Sequence, residues 1–225
     1  MTESTIQELL ALTAPKRIPG TAGADAEPPA VARSGNNVCV LWHEFPDPNN
    51  QQPDVFLARS TNGGTTFLPR INLSGSPMAF SGAENIAVSG SRVYVAWVEG
   101  AAVVFRRDLQ NDGIFSNPVQ LSNATTGIPD IQAGQRVQVA ASGTSVFVAW
   151  QAEVPPGSGV NAVFFTRSTN GGDTFQGPTK VSADNNDPRL FPDMTLVGDN
   201  RVLLAWRDLT GPAGAGAEIF YVLEP

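Results

Sequence analysis

A chain of 225 residues, 41% of them apolar, is long enough for one large domain with its own core; 16% charged residues, 22 glycines and 18 prolines suit many short strands joined by turns rather than long helices. A formal charge of -7 repels a phosphate backbone, so nucleic acid is excluded as a partner. The single Cys39 and single His43 rule out a disulfide framework, a cysteine-based metal site and a histidine cluster, and no run of residues is long and apolar enough to span a membrane.

Residues 1–13 stand apart. Thr2-Glu3-Ser4-Thr5 can cap a short helix over Ile6–Leu12, so this stretch reads as a docking arm or a short helix. It lacks the basic start and long apolar run of a signal peptide, which predicts an intracellular protein; a chain whose leader had been removed would read the same.

From about Pro28 the chain repeats. Val38-Cys39-Val40-Leu41-Trp42 returns as Val93–Trp97, Val146–Trp150 and Val202–Trp206, with the four tryptophans 55, 53 and 56 residues apart. A period of this length made of short strands is the signature of a propeller. Each unit reads as four strands. The first ends in a tight turn (Ser34-Gly35-Asn36-Asn37 in the first copy), the second carries the tryptophan, the third is typified by Asp54–Arg59, and the fourth by Phe67–Ser74. The third strand returns around Phe105, Phe164 and Phe220. The fourth unit stops at Pro225 without a fourth strand, and Ala14–Pro19 lines up with Gly177–Ser182, Ile18 matching Val181. The expected fold is therefore all-β: a β-propeller of four blades of four antiparallel strands, closed by an N-terminal strand that completes the last blade. Such closure removes an open sheet edge. The blades fall at about 28–74, 83–122, 136–182 and 190–225 plus 14–20. Closure within one chain predicts a monomer, whereas two chains sharing a wider ring would give a dimer.

Aligning the first strands on their turn glycines puts the small residues Ala32, Ala87, Ala140 and Thr195 around a narrow axis. By alternation Val31, Ile86, Val139 and Met194 face the core between blades. Ala30, Asn85, Gln138 and Asp193 fall nearer the channel mouth.

Arg59-Ser60-Thr61-Asn62-Gly63-Gly64-Thr65-Thr66-Phe67 returns as Arg167–Phe175. This nonapeptide resembles the Asp-box, or BNR repeat, of sialidase-like propellers. The resemblance implies a structural hairpin: Ser60 and Asn62, like Ser168 and Asn170, bond to turn amides, Gly64 and Gly172 take positive φ, and Phe67 and Phe175 anchor the turn. Asn62 and Asn170 replace the family aspartate. Asp108–Phe115 is a divergent version, read as one residue shorter. Sialidases of this family use an arginine triad, a Tyr–Glu pair and an acidic Asp. Arg17-Ile18-Pro19 resembles the segment of their first arginine, but the internal alignment already accounts for it as a strand. Tyr94 aligns with packing residues, and four repeats do not supply the arginine geometry of a six-bladed ring.

The turns after first and third strands are short and alike; the loops after second and fourth strands are long and dissimilar, and binding resides in such loops. The candidate rim comprises His43, Glu44, Glu84, Glu99, Arg136, Glu153, Arg189, Asp193, Arg207 and Asp208. Glu44 and Glu99 are the carboxylates available for acid–base work. No catalytic residue and no metal ligand is assigned; Ca²⁺, through oxygen-rich loops such as Asp184-Asn185-Asn186-Asp187, is the one cofactor the sequence admits. The expected function is a non-catalytic binding module that recognises a glycan or a protein partner on its loop face. The alternatives are a sialidase-like glycoside hydrolase with a rebuilt site, and a structural component docked through residues 1–13.

Overall fold

The computed structural model describes residues 14–21, 25–45, 52–76, 79–122, 137–184, 190–198, 200–209 and 216–224. They contain strands and no helix, and so no helix able to cross a membrane. The strands form four antiparallel sheets. Sheet 1 holds β1 (Asp25–Ala26), β2 (Ala30–Ser34), β3 (Asn37–Phe45), β4 (Asp54–Ser60) and β5 (Ile71–Asn72). Sheet 2 holds β6 (Ser81–Ser89), β7 (Arg92–Glu99), β8 (Ala102–Asp108) and β9 (Val119–Gln120). Sheet 3 holds β10 (Gln138–Ser142), β11 (Ser145–Glu153), β12 (Asn161–Ser168) and β13 (Thr179–Lys180). Sheet 4 holds only β14 (Asp193–Leu196), β15 (Val202–Asp208) and β16 (Glu218–Leu223).

Strand alternation decides the packing. The odd face of β3, with Cys39 and Leu41, meets the tryptophan face of sheet 2, with Val93, Val95 and Trp97, in one buried cluster. Tyr94, Ala96 and Phe105 of sheet 2 meet Val146, Val148 and Trp150 of sheet 3 in the same way. Phe147, Ala149 and Phe165 of sheet 3 meet Leu204 and Trp206 of sheet 4. The first strands pack β2 on β6, β6 on β10 and β10 on β14, with no comparable packing of β14 on β2 among the described residues.

Closure by the N-terminal strand is not seen, and this corrects the expectation from sequence. Residues 14–18 form no strand, and β16 has no partner on its outer edge among the described residues. Ile18 instead packs on Trp42, Phe56 and Ala58 of sheet 1, where its burial is local and needs no ladder. Two consequences follow. Ile86 and Val139 are buried and Met194 packs on the core, but Val31, which pairs with Val40 on the tryptophan face of sheet 1, is 64% exposed. On the far side Ile219 and Tyr221 are 73% and 70% exposed, while their counterparts Val55 and Leu57 are fully buried.

Two alignments also shift. Trp42, Trp150 and Trp206 face Phe56, Phe164 and Phe220, but Trp97 faces Val104, so Phe105 matches Leu57, Phe165 and Tyr221 instead. The divergent hairpin is not shorter: Asp108 pairs with Val93 as Ser60 pairs with Val38, and its carboxylate accepts the amides of Gln110 and Gly113.

Both nonapeptide turns have one geometry. The Ser60 hydroxyl donates to Asn62 Oδ1 (2.8 Å) and accepts from the Gly64 amide (3.0 Å), and Asn62 Oδ1 accepts from the Thr66 amide (3.0 Å). Ser168, Asn170, Gly172 and Thr174 repeat this at 2.8, 2.9 and 3.0 Å. Phe67 packs against the Trp42 cluster, and Phe175 meets the Phe105 ring edge-on at 4.9 Å.

Candidate functional site at the loop face

Because the four second strands run in one frame, their tryptophans end at one level, and a residue two further on shares the face. That residue is the indole's acceptor. Trp42 Nε1 donates to Glu44 (2.8 Å), Trp97 Nε1 to Glu99 (3.0 Å) and Trp206 Nε1 to Asp208 (3.3 Å). In sheet 3 the position is Ala152, and the buried Trp150 N–H has no acceptor among the described residues. Glu44 is fully buried and also ion-paired with Arg70, whose guanidinium lies 4.3 Å from the Phe56 ring centroid. The two carboxylates singled out for acid–base work are thus each tied to the tryptophan of their own sheet.

In sheets 1, 2 and 3 the residue directly after the tryptophan reaches the next sheet. His43 Nδ1 lies 2.9 Å from Glu84 Oε2, and Glu84 is only 5% exposed. A bulge delivers Glu84. The β6–β7 register jumps between Gly82 and Asn85, and Ala83 takes φ +54°. Bulges and such strained non-glycine backbone cluster where a side chain must be aimed. Phe80 flanks the pair, its ring 6.2 Å from that of His43, and a Cβ on Gly82 would sit 2.8 Å from it. At the matching position in sheet 2, Val98 packs in one cluster with Val137. In sheet 3, Gln151 accepts the Leu190 amide at 2.8 Å and donates to Asn161. His43–Glu84 is therefore the titratable version of a repeated clasp between sheets.

The remaining candidates are dispersed. Glu153 accepts the amide of Gly157 in its own loop (2.6 Å), and exposed Asp193 accepts its neighbour's amide at Met194 (2.9 Å). Arg207 and Asp208 sit at the end of β15, where the Arg207 amide donates to Leu190 O (2.8 Å). Arg136 and Arg189 lie outside the described residues, as does most of the acidic loop after Asp184. Among the described residues no three His, Cys, Asp or Glu side chains converge to hold a metal. Arg17 is exposed. Sequence reasoning missed Arg70, Phe80 and Gly82. Arg70 sits in an irregular stretch with no periodic signal, and the bulge leaves no trace in the residue pattern.

No family model matches the chain, and no curated protein matches it. Among solved structures it is similar to Trypanosoma rangeli sialidase, with a TM-score of 0.59 and 11% identity over 88% of this chain and 36% of that one. It is also similar to Bacteroides ovatus xyloglucan PUL GH43B, with a TM-score of 0.51 and 11% identity over 89% of this chain and 41% of that one. The chain thus spans well under half of these structures. At such identity the likeness is one of fold: an all-β arrangement of the propeller type, shared with glycoside hydrolases.

Proposed function

We propose that the chain is a non-catalytic recognition module of the sialidase-like propeller type, whose loop face takes a glycan. One observation carries the reading: Glu44, Glu99 and Asp208 each accept the N–H of their own sheet's tryptophan, which gives these rim carboxylates a structural role in every sheet that has one. The Asp-box-like hairpins and the fold shared with two carbohydrate-active proteins support the sugar side of it. A glycan array, run with and without Ca²⁺, tests it. Binding that disappears in Phe80→Ala or His43→Ala, with the fold intact, is the expected result. Binding only to a protein ligand would sink the glycan assignment.

A second reading, a glycoside hydrolase with a rebuilt site, is favoured by the His43–Glu84 pair on its strained bulge. Its test is release of a fluorophore from sialosides. Turnover abolished by Glu84→Gln in a folded protein would replace the first reading with this one.

A further inference from the structure

Between sheets 1 and 2 the loop-face clasp leaves bonding capacity unused. His43 Nδ1 lies 2.9 Å from Glu84 Oε2, and the two side chains are 19% and 4% exposed. A carboxylate has room for about four donors, and a neutral imidazole that donates through Nδ1 keeps Nε2 as an acceptor. Among the described residues nothing else bonds to either side chain, and neither Glu84 Oε1 nor His43 Nε2 is one of the fully enclosed orphan atoms. The matching residue of sheet 3, Gln151, spends both ends of its amide on Leu190 and Asn161. Buried acceptors are normally satisfied, so a carboxylate this enclosed with a single bond points to a donor brought by a ligand.

An aromatic wall stands beside these acceptors. Phe80 is half-buried, and its ring lies 6.2 Å from that of His43. Main-chain bonds hold it from both sides: Phe80 O accepts the Gly100 amide (2.8 Å), and the Ser81 amide donates to Pro53 O (3.2 Å). Gly82 decides where the ring rests, since a Cβ there would lie 2.8 Å from it and 3.6 Å from His43 Cδ2. Arg70 of sheet 1 is paired with Glu44, and among the described residues no arginine or lysine pairs with Glu84. The group therefore offers two acceptors and a ring face.

We propose that this group is the sugar subsite of the loop face and that it takes an uncharged sugar residue. An apolar C–H face of the sugar rests on Phe80, and two neighbouring hydroxyls donate to His43 Nε2 and Glu84 Oε1. A sialic or uronic acid is disfavoured, because its carboxylate brings further acceptors and a second negative charge to Glu84. Gly82 is a positioning residue: it touches no sugar and fixes the ring that does. The assignment rests on the glycan reading of the loop face and adds to it the class of sugar.

His43 is the single histidine of the chain, so an imidazole nitrogen NMR spectrum reports on this group alone. The full chain is titrated with neutral methyl hexosides, with the matching hexuronates (a carboxylate in place of the terminal hydroxymethyl group), with the methyl esters of those hexuronates, and with a methyl sialoside. At least one neutral hexoside should bind saturably and move the Nε2 signal. Its hexuronate should bind at least tenfold more weakly and the ester should recover; these changes lie in the sugar and cannot unfold the protein. Glu84→Gln should weaken the neutral sugar at least tenfold and narrow its lead over the hexuronate. Gly82→Ala should weaken it similarly, shifting the His43 Hδ2 signal through the displaced ring while the Nδ1 signal of the Glu84 bond stays in place; loss of the Nδ1 signal as well would overturn the positioning role. A hexuronate or sialoside bound as tightly as the neutral sugars, or binding that leaves Nε2 unmoved, would overturn the proposal and leave the glycan reading intact. A panel without any binding would overturn it too, and the glycan array then tells whether the glycan reading falls with it.

Discussion

At the scale of single residues, three of the four tryptophans donate to a carboxylate two positions on. The sequence places Glu44, Glu99 and Asp208 on the candidate rim, and in the structure each accepts the indole N–H of its own sheet. Trp150, facing Ala152, supplies the internal control. Trp97→Phe leaves Glu99 without its donor, whereas Trp150→Phe removes an N–H that already lacks an acceptor. Trp97→Phe should therefore cost about 1–2 kcal/mol more in urea unfolding than Trp150→Phe; equal costs would mean the indole–carboxylate bonds contribute nothing. Cys39 is fully buried, and burial pushes its thiol from 9.0 up to about 12. The unfolded chain then ionises first, so the thiol's stabilisation is whole below pH 9 and is lost as pH rises from 9 towards 12. Burial pushes the Tyr94 phenol in the same direction, so the comparison must be made against Cys39→Ala. The wild type should lose stability faster than Cys39→Ala between pH 9 and 10.5, and the native thiol should resist alkylation at neutral pH.

At the scale of elements, the same turn sits in two environments. Gly64 and Gly172 have φ +85° and +79° in identical hairpins, but only Gly172 lies against the ring of a preceding sheet; a Cβ on Gly64 meets nothing within 4 Å. Gly64→Ala should cost about 1 kcal/mol from backbone strain alone. Gly172→Ala should cost at least about 2 kcal/mol more, since the Phe105 ring must move. Thermal melts of the two variants measure the difference, and equal melting temperatures would contradict the packing. The repeat itself was legible at this scale. The turns were placed by Gly and Asn, the second strands by Val-x-Val-x-Trp, and the fourth strands by the aliphatic–serine ending. The one-residue slip at Phe105 arose because a phenylalanine attracts alignment wherever it falls. Only the ladder shows that Val104 faces Trp97.

At the scale of the whole molecule, the four sheets are not equivalent. Sheets 2 and 3 are covered on both faces, while the outer face and edge of sheet 4 carry exposed Ile219 and Tyr221. Local stability follows buried contacts, so β16 amides should exchange well before those of β11. Hydrogen exchange read by mass spectrometry checks this; equal protection would mean that β16 is covered in solution. Ile219→Lys or Tyr221→Lys should reduce self-association at high concentration while changing unfolding stability by less than about 0.5 kcal/mol.

The sequence by itself determined the β class, the four-fold repeat, the hairpins and the buried place of the tryptophans. Each of these is a local matter of spacing and turn chemistry, repeated often enough to be read. It could not determine what the N-terminal segment covers, because Ile18 suits a fourth strand and an apolar face equally well. Nor could it separate an anchoring carboxylate from a free one, or show that His43 meets Glu84 across two sheets. Those depend on a bulge, a face and a neighbouring sheet, which exist only once the sheets have packed.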